Sequence, residues 1–283
     1  MNKQSALQIF LCIFVLLVFS FSTVSKGMAK GDAYMLKNIS SYKIYYDSPT
    51  PHILQQMKKY DLVIIEPTLY SIDQITTIKQ AGTIVFGYIN TMEADNWNTS
   101  FVQKLDKSDY YYKNGKKVYL EQWDAHLMNL TSSHYQSLLQ NEIKEQVVSK
   151  KLDGVFFDTV GDIDDYFMNQ PAELKAQRDG LVSLMKQVKT QYPNLSFIQN
   201  WGFDTLKVAT LPYVDGVMWE SFHKNIVKND QWSQDRIQDL NKLQRKKDIA
   251  ILTVSSKQHQ SSSKYAASKG FLHYQAKKDY NSW

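Results

Sequence analysis

The chain has 283 residues, 43% of them apolar, which is enough to bury the core of one large α/β domain and excludes a disordered chain. Its net charge of +5 is too mild for a nucleic-acid binder. The one cysteine, Cys12, excludes a disulfide framework or a thiolate metal site.

Lys3 precedes an apolar stretch over 7–24, and Lys26 and Lys30 follow it. Residues 1–29 therefore read as a secretory signal or a membrane anchor. Residues 30–283 read as a single domain of a secreted or extracytoplasmic protein, with membrane attachment through the leader as an option. Strand-like apolar runs then alternate with helical patterns. The runs are 42–46, 62–66, 83–89, 154–158, 195–200, 214–220, 249–254 and 271–274. Thr50-Pro51 is a helix start with proline at the first helical position, and Ser71 to Gln74 has the form of a capping box. Leu174, Leu181, Leu184, Met185 and Val188 form an apolar stripe at helical spacing, as do Tyr135, Leu138, Leu139, Ile143 and Val147.

Eight strands alternating with helices predict a (β/α)8 TIM barrel, with a doubly wound open sheet as the competing architecture. The longest connection, 90–153, is expected to cover one end as a lid or cleft wall. The chain after the eighth run is short, so the last outer helix is expected to be short or missing.

Two runs share a grammar. Asp153-Gly154-Val155-Phe156-Phe157-Asp158 and Asp215-Gly216-Val217-Met218-Trp219-Glu220 both open on Asp-Gly, read as a turn, and stop on a carboxylate. In a barrel the C-terminal strand ends converge on the ligand. Asp158 and Glu220 are the candidate catalytic pair, because glycosidic cleavage needs one protonated and one ionised carboxyl group. The apolar setting of Glu220 favours the acid/base role, and Asp158 the nucleophile of a retaining reaction. Tyr46, Glu66, Tyr88, Glu93, Asn200, Trp201, Trp219 and Tyr274 are the candidate substrate-binding residues. Asp162, Asp164 and Asp165 read as helix-start acids. No nucleophile elbow, nucleotide-binding loop or zinc spacing is present, so neither cofactor nor metal is expected.

These residues resemble glycoside hydrolase family 114, the endo-α-1,4-polygalactosaminidase-like barrels. The resemblance runs over most of 40–275. It rests on Ile44-Tyr45-Tyr46, Val63-Ile64-Ile65-Glu66-Pro67, Gly87-Tyr88-Ile89 with Glu93-Ala94, the Asp158 and Glu220 runs, and Ile198-Gln199-Asn200-Trp201-Gly202-Phe203. It implies a TIM barrel, hydrolysis of α-1,4-linked galactosaminyl exopolysaccharide of microbial biofilms, and Asp158 and Glu220 as the matched pair. The chain departs from the family pattern at Asn96-Trp97-Asn98, where an Arg is common, and at Val254-Ser255-Ser256-Lys257, where an acidic-aromatic pair is usual. The alternative is a non-catalytic carbohydrate-binding barrel at the cell surface.

Overall fold

A computed structural model describes residues 36–277 and 279–283, and the apolar leader lies outside them. Each of the eight apolar runs contains a strand. These are β1 (Tyr42–Tyr45), β2 (Leu62–Ile65), β3 (Ile84–Asn90), β4 (Gly154–Asp158), β5 (Ser196–Asn200), β6 (Gly216–Trp219), β7 (Ala250–Ser255) and β8 (Leu272–Gln275). Every strand pairs in parallel with the next one in this series. The order never reverses, and a doubly wound sheet requires a reversal. The ladder ends, β1 and β8, meet through side chains. Lys43 Nζ donates to the Tyr274 hydroxyl of β8 at 2.9 Å, and the Tyr42 hydroxyl reaches past β8 to the Thr253 carbonyl of β7 at 2.6 Å. The result is a nearly closed barrel of the TIM type.

Side chains alternate faces along a strand, so parity decides what each residue can touch. Tyr42, Ile44, Leu62, Ile64, Phe86, Phe156, Ile198, Met218, Leu252 and Tyr274 fill the barrel interior. Their odd-numbered neighbours, among them Tyr45, Val63, Val85, Phe157, Phe197, Val217 and Trp219, pack outward with the helices. The inward parity continues through Tyr46, Glu66, Asn90, Asp158, Asn200 and Glu220 at the C-terminal ends.

The Asp-Gly pairs do not make turns. Gly154 and Gly216 are absent from the positive-φ positions, and both open a strand. A Cβ on Gly154 would lie 2.4 Å from the Phe86 ring and from the Ser196 carbonyl oxygen, so this glycine makes room for Phe86 in the interior. Asp153 accepts from Val85 N at 2.9 Å, and Asp215 from Phe197 N at 2.9 Å. Each aspartate satisfies the first free amide of the strand beside it.

The outer helices start as their sequences dictate. Thr50 caps α1 (Pro51–Met57), and Ser71 with Gln74 closes a capping box on α2 (Ile72–Lys79). Tyr135 and Leu139 are buried on α3 (Ser133–Glu142), whose stripe continues through Ile143 and Val147 in a π-helical extension. α4 (Gly161–Phe167) leaves the β4 end, and α5 (Pro171–Gln191) buries Leu181, Leu184, Met185 and Val188. No helix follows β8 among the described residues; instead Trp283 packs edge-on against Tyr45 at 5.5 Å and Tyr60 at 6.0 Å. None of the described helices is long and apolar enough to cross a membrane. Within the long β3–β4 connection, Glu93–Asp95, Ala125–Leu127 and Tyr119–Leu120 form a small antiparallel sheet. Asn90 ties it to the barrel rim: its amide donates to Asp95 at 2.9 Å, and its carbonyl accepts from Glu93 N at 3.1 Å.

Candidate active site

A cleft of ≈ 760 Å³ opens at the C-terminal ends of the strands. The barrel supplies Tyr46, Glu66, Tyr88, Asn90, Asp158, Asn200, Trp201 and Glu220. The β3–β4 connection supplies Glu93, Asp95, Trp97 and Trp123, α4 supplies Asp162 and Asp165, and Tyr280 and Asn281 complete the wall. Neither β7 nor β8 contributes a lining side chain.

Asp158 and Glu220 face this one cleft and are linked by Asn200. The Asn200 amide donates to Asp158 Oδ1 at 2.7 Å and also favours the ionised form of Glu220. Thr159 N donates to the same Asp158 oxygen at 2.8 Å, and the Tyr88 hydroxyl adds a further hydrogen bond. Burial raises the Asp158 carboxyl above the usual range, and these donors oppose the rise. Glu220 is pushed up to about 7, first by burial and then by the charge of Asp158. The Tyr280 hydroxyl donates to Glu220 Oε1 at 2.6 Å and pulls the other way. One carboxyl group richly supplied with donors thus stands beside one that holds its proton near neutrality. General acid and nucleophile chemistry requires such a division.

The residues that follow the three rim side chains share a backbone device. Thr159, Trp201 and Ser221 have φ of 59°, 54° and 56°. This left-handed conformation is rare for non-glycine residues, and for a β-branched threonine it is an outlier. Thr159 is held there by its side chain. Its Oγ1 donates to Asn90 at 2.7 Å and accepts from Met92 N at 2.8 Å.

A second carboxyl pair lines the same cleft. Burial and the neighbouring Asp162 charge push Glu93 up to about 9, and burial pushes Asp162 up to about 7. Asp95 is also raised, first by burial. Glu66 spends one oxygen on Thr68, accepting from its amide at 3.0 Å and its hydroxyl at 2.6 Å. Among the described residues, no cluster of three or more His, Cys, Asp or Glu side chains is arranged to hold a metal ion.

Of the ten site residues expected from sequence, the structure brings eight to the cleft and leaves out Trp219 and Tyr274. Trp219 has outward parity once Glu220 faces in, and it packs among Phe203, Phe222 and Trp232. Tyr274 has the right parity but lies below the rim, beside Tyr42 at a ring separation of 5.8 Å. Asp162 was legible only as a helix-start acid; it is also a lining residue, because α4 begins at the rim. Asp164, by contrast, accepts from Arg178 at 2.7 Å and from Thr205 at 2.6 Å, and is structural. Trp97, which stands in a segment that departs from the family pattern, lines the cleft, and Lys257 does not. Asp95, Trp123, Tyr280 and Asn281 carried no local sequence signal.

An eight-stranded barrel with paired carboxylates at its strand ends defines the class of barrel glycoside hydrolases. The chain belongs to glycoside-hydrolase family GH114, whose family model matches residues 30–272. Solved structures support the fold. The glycoside hydrolase domain of PelA from Pseudomonas aeruginosa is 18% identical, with a TM-score of 0.67, covering 87% of this chain and 97% of that one. Aspergillus fumigatus Ega3, in a complex with galactosamine, is 15% identical, with a TM-score of 0.62, covering 86% and 92%. An α-galactosidase from Thermus thermophilus is 8% identical with a TM-score of 0.54, covering 84% and 58%. A search of curated protein sequences finds no match.

Proposed function

We propose that the protein hydrolyses an α-1,4-linked galactosaminyl exopolysaccharide whose amines are free. The observation that carries this reading is the acidic lining of the cleft, whose raised carboxyl groups a bound polycation would hold ionised. Glu66, Glu93, Asp95, Asp158, Asp162, Asp165 and Glu220 line it, and among the described residues no Lys, Arg or His does. A chain of net charge +5 has gathered its acids where a polycation would lie. The galactosamine bound to Ega3 agrees with this choice.

The reaction follows from the two central carboxyl groups. Glu220 carries the proton and gives it to the leaving glycosidic oxygen. Asp158, held by Asn200, Thr159 N and Tyr88, attacks the anomeric carbon from the other face. A glycosyl ester forms as the C–O bond breaks. Glu220, now ionised, takes a proton from water, and that water cleaves the ester and releases the α-anomer. Retention is the outcome of two displacements. The apolar leader supports export of the enzyme, and cell fractionation tests that part.

The test is incubation of the purified protein with de-N-acetylated and fully N-acetylated α-1,4-galactosaminyl polymers, followed by mass analysis and NMR of the first product. The expected result is α-anomeric oligomers from the free-amine polymer. Absence of product from both polymers overturns the substrate, and a β-anomer released first overturns retention.

A further inference from the structure

We infer that Tyr280 is a positioning residue for Glu220, delivered to the cleft by the segment that follows β8. The inference rests on the reading of Glu220 as acid/base.

The geometry is specific. Tyr280 uses three contacts to take up its place. Its hydroxyl donates to Glu220 Oε1 at 2.6 Å, its carbonyl accepts from Tyr46 N at 2.8 Å, and its ring meets the Tyr46 ring at 5.5 Å. Tyr46 N lies just past β1, so the segment docks where the barrel ladder has its two ends. Three residues on, Trp283 anchors the same segment. Its ring packs on Tyr45 and Tyr60, Lys43 Nζ stands 4.7 Å above it, and its carbonyl accepts from Lys277 at 2.7 Å. Residues 279–283 therefore close the β1–β8 seam from outside while placing one hydroxyl inside. Since β7 and β8 bring no side chain to the cleft, Tyr280 serves the sector of the rim that those strands leave vacant.

The chemistry gives that hydroxyl a task. Glu220 must alternate between acid and base, so its two oxygens need a fixed orientation and its ionised form needs a donor. The groups that face it are Asp158 from β4, Asn200 from β5, Tyr42 from β1 and Tyr46 just past it, and Tyr280. Of these, Asp158 opposes its ionisation, and Asn200 divides its amide between Glu220 and Asp158, which it meets at 2.7 Å. The Tyr280 hydroxyl, 2.6 Å from Oε1, is the stronger of the two side-chain donors that favour the ionised form of Glu220. Burial and the Glu220 charge keep the phenol protonated, so it remains a donor at every working pH. Such a donor lowers the pKa of the carboxyl and fixes which oxygen is left to face the glycosidic bond.

The test is a carboxyl ¹³C NMR titration of the full-length protein carrying labelled glutamate, with Glu220→Gln used to assign the Glu220 resonance. Tyr280→Phe keeps the ring and deletes the donor. The Glu220 midpoint is expected to rise by about one pH unit in Tyr280→Phe, the size set by one hydrogen bond to a charged group. Coincident titration curves in the two proteins overturn the inference. The titration needs no substrate, so it can fail while the glycosidase reading stands. That reading is tested separately by the turnover of Glu220→Gln.

Discussion

Asn200 donates to Asp158 at 2.7 Å while its own carbonyl oxygen is buried without a hydrogen-bond partner. One amide group therefore holds Asp158, the proposed nucleophile, and keeps a buried acceptor free beside it in the cleft. Asn200→Ala removes both functions. Its kcat/KM is expected to fall by ~10- to 100-fold, the range for a hydrogen bond to a charged group. The acidic limb of the pH–rate profile should also move to higher pH, because Asp158 loses a donor that favours its ionised form. Steady-state kinetics across pH checks both effects, and an unmoved limb leaves Asn200 as packing alone.

The pH dependence of the wild type follows from the pair. In the proposed mechanism Glu220 must be protonated to assist departure, and burial pushes its pKa up to about 7. Activity should therefore fall as pH rises through about 7. Asp158 must be ionised, so activity should also fall on the acidic side, giving a bell-shaped profile. A profile that stays flat well above neutrality contradicts the acid role of Glu220.

Trp97 and Trp123 are 59% and 61% exposed, yet both line the cleft. Large exposed rings at a cleft edge are suited to stacking on the apolar faces of sugars distant from the bond being cut. Trp97→Ala and Trp123→Ala should each raise KM for long polymer by ~2- to 10-fold with a smaller change in kcat. Kinetics on a series of oligomer lengths checks this, with the effect fading on the shortest substrates. Equal effects at all lengths contradict a distal role.

Gly154→Ala should destabilise the barrel by ~1–3 kcal/mol, because the added methyl has to displace Phe86 or the Ser196 backbone in a packed interior. Denaturant unfolding measures it. A neutral result contradicts the space-making role assigned to Gly154.

The fold was legible in the sequence because β1 to β7 are largely buried on both faces and announce themselves as apolar runs. The central pair was legible for a related reason: a carboxylate that ends such a run has few places to go but the rim. Trp219 was misplaced for want of the parity rule, since adjacent strand residues cannot both face the cleft. Tyr274 obeys parity, but depth along the barrel axis depends on strand stagger, which the run alone does not encode. The cleft wall was less legible still. Asp95, Trp97 and Trp123 reach the site through an insertion with short strands, and Tyr280 through a docked segment with no periodicity. The left-handed backbone at Thr159, Trp201 and Ser221 left no trace either, because it occurs at residues that propensity assigns elsewhere.

The central claim is that Asp158 and Glu220 together carry the cleavage. The most direct measurement is turnover of Asp158→Asn and Glu220→Gln on the free-amine polymer, with folding checked by circular dichroism and with azide supplied as an external nucleophile. Each folded variant is expected to lose at least ~10²-fold in kcat. Only Asp158→Asn should yield a β-glycosyl azide, because azide then attacks from the face the nucleophile has left. Wild-type turnover in either folded variant would contradict the account.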